Sequence, residues 1–401
     1  VDMKSRHQLR VVATFSDGRK TDVTGHAKYQ SNNEGLGNVD EFGLVSFGEA
    51  PGEVAVMANY MGAVGVFQAM IPSDRRLASF PKLPEANFID TFVHQKLKKL
   101  HILPSSGTDD ATFLRRVSLD IIGRLPTSEE TRKFLENKAA NRRAKLVDGL
   151  LKRPEYADFW ALKWSDLLRV DRLKLGHEPA YDYYRWIRER FADNTPIDSF
   201  ISQLLTATGP VRENPQAIFY KSIGNPGERA AVVSQVFLGM RIECAQCHHH
   251  PYDRWGQTDY WGMQAFFTQV GFKPGPTGES IRTSGNPVTK HPRTGQVIFA
   301  HALETPMPEA HPEGDRRQVL AAWMTGPKNR FFARNIANRT WAHFLGRGLV
   351  EPVDDVRLTN PPSNSQLLDA LAEHLVASKF NLHALIRTIT ASNAYQRTTE
   401  A

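Results

Sequence analysis

The segment ECAQCHHHPYDRW, residues 243–255, gathers the residue types with the most chemistry open to them: both cysteines of the chain, three consecutive histidines, an aspartate and a tryptophan. Cys244, Cys247 and His248 have the spacing of covalent haem c attachment. Two thioether bonds fix a porphyrin against a short turn, and the imidazole of the next residue then lies beneath the iron as its proximal ligand. Three rival readings use the same residues. A structural zinc site wants four ligands, yet the next histidine beyond the triplet is the distant His291. A redox dithiol wants a βαβ setting, whereas Cys244 follows a helical stretch. A disulfide across so short a loop gives no reason for His248.

The neighbours divide by what they can reach. Trp255 is a candidate to pack on the porphyrin, with an ordinary core anchor as the competing reading. His250 sits too close to His248 to reach the same iron from its opposite face. It is a candidate propionate partner, a ligand with Asp253 for a second ion, or a catalytic acid or base beside the haem edge. His249 is expected at the surface. For the far side of the iron the candidate is His343, because Phe332, Ile336, Arg339 and His343 share one helical stripe that turns the imidazole inward; a satisfied buried histidine is the competing reading. His374 is a second candidate, beside Leu371 and Leu375. His291, His301 and His311 are expected to face solvent, and Met240 and Met263 to lie in the core. The Asp354–Asp355 pair is expected to tie down arginines or cap a turn rather than perform acid–base work.

These residues need a scaffold, and 401 residues with 41% hydrophobic and 23% charged content suffice for two or three folded domains. The net charge of +7 is spread as Lys and Arg among Asp and Glu, without a basic block. Nucleic acid is therefore not expected; an acidic redox partner protein or haem domain, or an anionic polysaccharide, suits such a surface better. No run approaches the ~18 apolar residues of a membrane span, so no transmembrane segment is expected. Val1 opens directly into strand-like sequence, and the chain reads as a mature or excised segment.

The first seventy or so residues alternate with period two: Leu9, Val11, Ala13 and Phe15 share one face, as do Val54, Val56, Ala58 and Tyr60. Turns are expected at Ser16–Arg19 and Asp40–Gly43, so short strands in a small β-sandwich follow. The segments VVATFSDGRKTDVTGHAKYQSNN and VDEFGLVSFGEAPGEVAVMANYMG resemble the bacterial Ig-like domains of group 2 over nearly all of residues 9–70. Such modules are exported spacers or adhesive units, so the resemblance implies a periplasmic or extracellular chain.

Beyond the connector SDRRLASFPKLPEA the period becomes helical, with Ile89, Val93, Leu97 and Leu100, then Leu114, Val117 and Ile121, then Trp160, Trp164 and Leu167. Thr127 and Glu130 predict a capping box, and Ser363 or Asn364 an N-cap. One helix is expected to lead straight into Cys244 and another to follow the histidines. Residues 272–314, rich in Gly, Pro and Thr, read as an irregular excursion with a short hairpin at GQVIFAHA. Helices resume from Asp315.

The segments FIDTFVHQKLKKL, FLRRVSLDIIGRLPTSEE and VSQVFLGMRIECAQCHHHPYDRWGQTDYWGMQAFF resemble the planctomycete-specific cytochrome c-like domain, a domain of unknown function. Residues from Asp315 through FNLHALIRTITASNAYQRT resemble the front of the planctomycete-specific domain that usually follows it. The resemblance implies covalent haem on Cys244, Cys247 and His248, with His250-Pro251 in the same signature, and a second domain that the chain enters without finishing. The expected fold class is therefore multidomain: a small all-β Ig-like sandwich (1–72), a linker (73–85), a helical cytochrome c-like domain (86–271), the excursion (272–314) and the start of a second helical domain (315–401). The expected function is electron transfer by an exported c-type haem protein, with oxidative degradation of polysaccharides as its setting. The alternatives are a haem-dependent oxidoreductase or peroxidase-like enzyme using His250, and a non-enzymatic scaffold or binding protein whose Cys/His turn holds zinc.

Overall fold

The computed structural model describes residues 1–74, 79–275, 278–309, 313–327 and 329–399. Eight short strands come first: β1 (Arg6–Gln8), β2 (Val12–Thr14), β3 (Lys20–Asp22), β4 (Lys28–Ser31), β5 (Gly37–Val39), β6 (Leu44–Phe47), β7 (Gly52–Tyr60) and β8 (Ala63–Ile71). They form antiparallel sheets in the orders β1-β6-β5 and β4-β7-β8, with β2-β3 as a separate hairpin. Val45, Phe47, Val54, Val56, Ala69 and Ile71 make their small core. The expected turns are present, with Gly18 and Gly43 both at φ +82.

The alternation of burial holds over the first stretch, where Leu9, Val11, Ala13 and Phe15 are half-buried between exposed neighbours although only Ala13 lies within a strand, β2. In β7 it hides a second contact. Ala55 and Met57, on the face opposite Val54 and Val56, are buried as well. Glu53 and Asn59 extend that second face. Glu53 pairs with Lys96 of α1 (Phe88–Leu100), and the Asn59 side chain donates to the Pro251 carbonyl at 3.1 Å. The strand is thus covered on both sides, and its second face turns to the helical region.

That region begins with α1, whose N-cap Asn87 accepts from Ile89 N and whose end is turned by His101 at φ +56. It continues through α2 (Asp110–Ile122), α3 (Ser128–Glu136), α4 (Arg142–Leu150), α5 (Pro154–Leu167), α6 (Arg172–Leu175), α7 (His177–Ala192) and α8 (Ile197–Leu205). Local sequence explains the boundaries. Asp109 caps α2, Gly123 at φ +68 ends it, and Thr127 with Glu130 forms the capping box of α3. After β9 (Gly209–Pro210) come α9 (Phe219–Ser222), α10 (Pro226–Val233) and α11 (Gln257–Ala265). The last four helices are α12 (Arg316–Thr325), α13 (Arg330–Leu345), α14 (Ser365–Ala377), capped by Asn364, and α15 (Leu382–Ala391).

Residues 272–314 differ from the expected irregular excursion. β10 (Val270–Gly275) and β11 (Gly278–Thr283) pair, and β11 also pairs with β9; β12 (Val288–Lys290) pairs with β13 (Val297–Phe299). Strand β13 falls in the expected hairpin. The other pairings escape a local reading because Pro210 of β9 pairs with Ser280, 70 residues later, and few side chains, Ile281 and Ile298 among them, are buried enough to set a pattern.

Buried side chains from α1 through α15, including Ile281, Ala300 and Leu303 from the strand-rich segment, join one continuous hydrophobic cluster. The carboxylate of Asp90, fully buried in α1, accepts from the backbone N–H groups of Ala86, Asn393 and Ala394. The first and last helices are thereby closed onto each other. No helix among the described residues is long and apolar enough to cross a membrane.

Candidate functional site

Helix α10 starts at the N-cap Asn225, whose side chain accepts from Glu228 N, with Pro226 at its first turn. Its last turn loosens into a π-helix at Ser234–Leu238, which Gly239 ends at φ +74. The last carbonyls of a helix have no donor within it. Helix α13 supplies the missing donors from two positions one turn apart. Asn335 Nδ2 reaches Val236 O at 2.8 Å, and Arg339 donates to Val236 O at 3.1 Å and Gln235 O at 3.0 Å. Gly239 leaves no room for a side chain, since a Cβ there would lie 2.7 Å from Asn335 Oδ1 and 2.9 Å from Val356. Asp354 accepts from Gln235 Nε2 at 2.5 Å and from Arg241 at 2.6 Å, and these partners hold its carboxyl below the usual range against the opposing effect of burial. Asp355 pairs with Arg357 at 3.1 Å. Both aspartates therefore tie down arginines, as the sequence reading expected.

The chain then enters a single 3-10 turn, Glu243–Gln246, anchored on buried Ile242 and Ala245. Residues i and i+3 eclipse in such a turn. Cys244 and Cys247 consequently share one edge; both thiols are free and exposed. His248 follows, exposed, with Nδ1 2.7 Å from the His249 carbonyl. A backbone carbonyl on Nδ1 sets the tautomer that leaves Nε2 available as a metal ligand. His249 is exposed, with its ring against Gly256.

His250 goes the other way, into the protein. It is 6% exposed; its ring Nδ1 accepts from Tyr252 N at 3.2 Å, and its backbone N–H donates to Trp255 O at 2.8 Å. Burial pushes its pKa down and that of neighbouring Asp253, also buried, up. By its bonds to Tyr252 and Trp255, His250 braces the return of the chain to Trp255. Trp255 is 4% exposed, under the Arg254 guanidinium and edge-on to Phe331 of α13, the arrangement of a core anchor. Arg254 and Arg330 share Glu304. The turn is further held by Gln257 on Gln246 O, Thr359 on Tyr252 O, and Asn59 on Pro251 O.

The candidates for the far side of the iron lie elsewhere. His343 is on the inward stripe expected of it, but its Nε2 is 2.7 Å from the Asp120 carbonyl and its ring packs on Trp160 and Phe344. Twelve helical residues put it about 18 Å along α13 from Phe331, the end nearest the turn. Burial lowers its pKa. It is a satisfied interior histidine, and His374 is bonded to Thr388 at 2.9 Å. Met240 and Met263 are in the core, as expected. His291 braces its own turn, accepting from Arg293 N and Thr294 N. His301, expected in solvent, is buried instead: it lies over Gly262 of α11, with Nδ1 2.8 Å from the Phe299 carbonyl. A glycine on the facing helix leaves the space that its ring fills. His311 lies outside the described residues. Among the described residues no three His, Cys, Asp or Glu side chains are grouped to hold a metal ion. The clamp from Asn335 and Arg339 was not foreseen; its sequence signal is two polar residues at i and i+4 on an otherwise apolar helix face.

Two segments match known families. Residues 88–271 match the family PSCyt2, described as a protein of unknown function (DUF1549), and residues 316–401 match PSD1, described as a protein of unknown function (DUF1553). Both are planctomycete-type domains of unknown function. No curated protein and no solved structure matches the chain. The two matched segments flank the strand-rich residues 272–315, and their buried side chains meet in the one helical core described above.

Proposed function

We propose that Cys244 and Cys247 bind a haem covalently, that His248 is its proximal ligand, and that the protein transfers electrons outside the cytoplasm. The arrangement of the 3-10 turn carries this reading: two free thiols share one exposed edge, and the next imidazole keeps Nε2 open while Nδ1 is held by a carbonyl. This donor set suits a c-type haem. When bound, such a haem supplies one-electron exchange between its ferric and ferrous states.

The chain's own residues position and expose the turn. Ile242 and Ala245 anchor it from within, the Asn335–Arg339 clamp and Asp354 fix the approach, and His250 with Trp255 fix the return. Because the thiol edge faces solvent, a redox partner protein can come close to whatever is attached there. The excess of basic residues favours an acidic partner and equally an anionic polysaccharide, whose oxidative degradation is a setting for this chemistry. The N-terminal sheets, read as an Ig-like spacer, are the reason for placing the protein in the periplasm or outside the cell.

Expression with haem-maturation machinery tests the proposal. The purified protein is expected to show a c-type spectrum that survives denaturation, and Cys244→Ala with Cys247→Ala is expected to abolish it while the far-ultraviolet circular dichroism stays unchanged. A folded but colourless wild-type protein would sink the proposal, and stoichiometric zinc without iron would favour the scaffold reading.

A further inference from the structure

The segment FPKLPE, residues 80–85, runs beside α1 in no regular secondary structure. Phe80 and Leu83 each precede a proline, which removes a backbone donor and biases the chain to an extended path. The end of the segment is fastened: Asn393 Nδ2 donates to Pro84 O at 2.9 Å, and Asp90 accepts from Ala86 N at 2.8 Å. Between the segment and α1 lies a cleft of about 480 Å3. Its size falls in the range of small-ligand sites, roughly 300–1,000 Å3. One wall is apolar, from Phe80, Pro81, Leu83 and Pro84. The other is a face of α1, where Thr91, His94 and Lys98 follow one another a turn apart.

Polar groups of this cleft lack partners. His94 is 7% exposed, and its enclosed Nδ1 has no hydrogen bond among the described residues; Glu85 Oε1 stands 3.7 Å away, beyond hydrogen-bond reach. Thr91 Oγ1 holds Glu85 in place by donating to Oε2 at 2.6 Å. A carboxylate on that side favours the proton on Nδ1 and leaves Nε2 as an acceptor. Nε2 has no partner among the described residues either, and Lys82 and Lys98, which also line the cleft, form no ion pair among them. A nearly buried imidazole left unbonded is costly unless something enters to bond it. We propose that this cleft binds an acidic sugar, a hydroxylated ring carrying a carboxylate or a sulfate. The C–H face of the ring packs on the apolar wall, the acid group meets the two ammonium groups, and a hydroxyl donates to His94 Nε2. This names the group by which the anionic polysaccharide of the proposed function is held, and it rests on that partner reading rather than on the haem.

The experiment titrates the whole chain by calorimetry with digalacturonate, galactose 6-sulfate and neutral galactobiose. At least one acidic probe is expected to bind one to one, about tenfold or more tighter than the neutral sugar, and the preferred probe tells carboxylate from sulfate. Lys82→Ala with Lys98→Ala, both exposed positions, should weaken that binding about tenfold or more, because the charge-assisted bonds to the acid are lost. His94→Gln should weaken it about fivefold with unchanged circular dichroism; if that variant misfolds, the lysine pair still decides. Lys99→Ala, next to Lys98 but outside the cleft, should bind like wild type. Undiminished binding in the lysine pair variant, or an equal loss in Lys99→Ala, would overturn the cleft and leave the polysaccharide reading standing. Neutral sugar bound as tightly as the acidic probes would overturn the acid assignment. Binding of neither acidic probe would also overturn the cleft, and co-sedimentation with insoluble polygalacturonate then tells whether the polysaccharide reading falls with it.

Discussion

Arg339→Leu is expected to loosen the scaffold that presents the cysteine turn. The guanidinium makes two hydrogen bonds to the π-helical carbonyls, at 3.0 and 3.1 Å, and burial lowers its pKa. Hydrogen bonds to a charged group contribute roughly 1.5–3 kcal/mol each. Desolvation of the buried cation offsets part of that sum, and Val236 O keeps its bond from Asn335, so the low end applies and the net loss should be about 3 kcal/mol. Leucine preserves the apolar stem contacts and isolates the polar loss. All seven tryptophans lie between residues 160 and 341, so urea unfolding followed by tryptophan fluorescence reports on the helical region without the N-terminal sheets. The expected result is a lower midpoint at unchanged slope, with faster amide exchange over residues 234–248 than elsewhere. Arg185→Leu is the control: its side chain is 57% exposed and pairs with the surface Asp182 at 3.3 Å, so it should cost less than about 1 kcal/mol. A loss below about 1 kcal/mol for Arg339→Leu, or an exchange pattern spread evenly over the helices, would refute the clamp argument.

Acid should act through His383, which is 9% exposed, edge-on to Tyr156, and lowered to about 4, mainly by burial and then by Arg387. The unfolded chain then binds the extra proton between about pH 6.5 and 4, so stability is complete above that window and falls by about 3 kcal/mol as pH drops through it. Urea midpoints at pH 7 and pH 4.5 should converge by most of that amount in His383→Gln; an unchanged difference would contradict the assignment. Gly262→Ala places a methyl group 2.2 Å from the buried His301 ring and should cost about 1–3 kcal/mol in the same assay. Much of that loss should return in the double variant with His301→Ala, and strict additivity would show that the two do not collide. Loss of covalent haem in the cysteine variants completes the set.

Much of this molecule is written locally. Helix starts at Asn87, Asp109, Thr127 and Asn364 follow from side chains that can accept from free N–H groups within one turn, and the turns at Gly18 and Gly43 from residues that tolerate positive φ. The cysteine spacing belongs to the same class, because three residues per turn bring Cys244 and Cys247 to one edge whatever surrounds them.

Other features depend on what comes from far along the chain. The three histidines have equivalent sequence surroundings, yet His248 and His249 are exposed and His250 is buried, because Tyr252 and Trp255 close around the last of them. His301 is inside only because Gly262 leaves room for it, and His343 is bonded only because Asp120 offers a carbonyl from another helix. β11 finds β9, and the π turn finds Asn335 and Arg339, across separations that no periodicity encodes. The sequence alone therefore determined which residues could do chemistry and how the local turns present them. The tertiary structure decided which histidines and methionines remain free to do it, because burial and hydrogen-bond occupancy are set by neighbours distant in the chain.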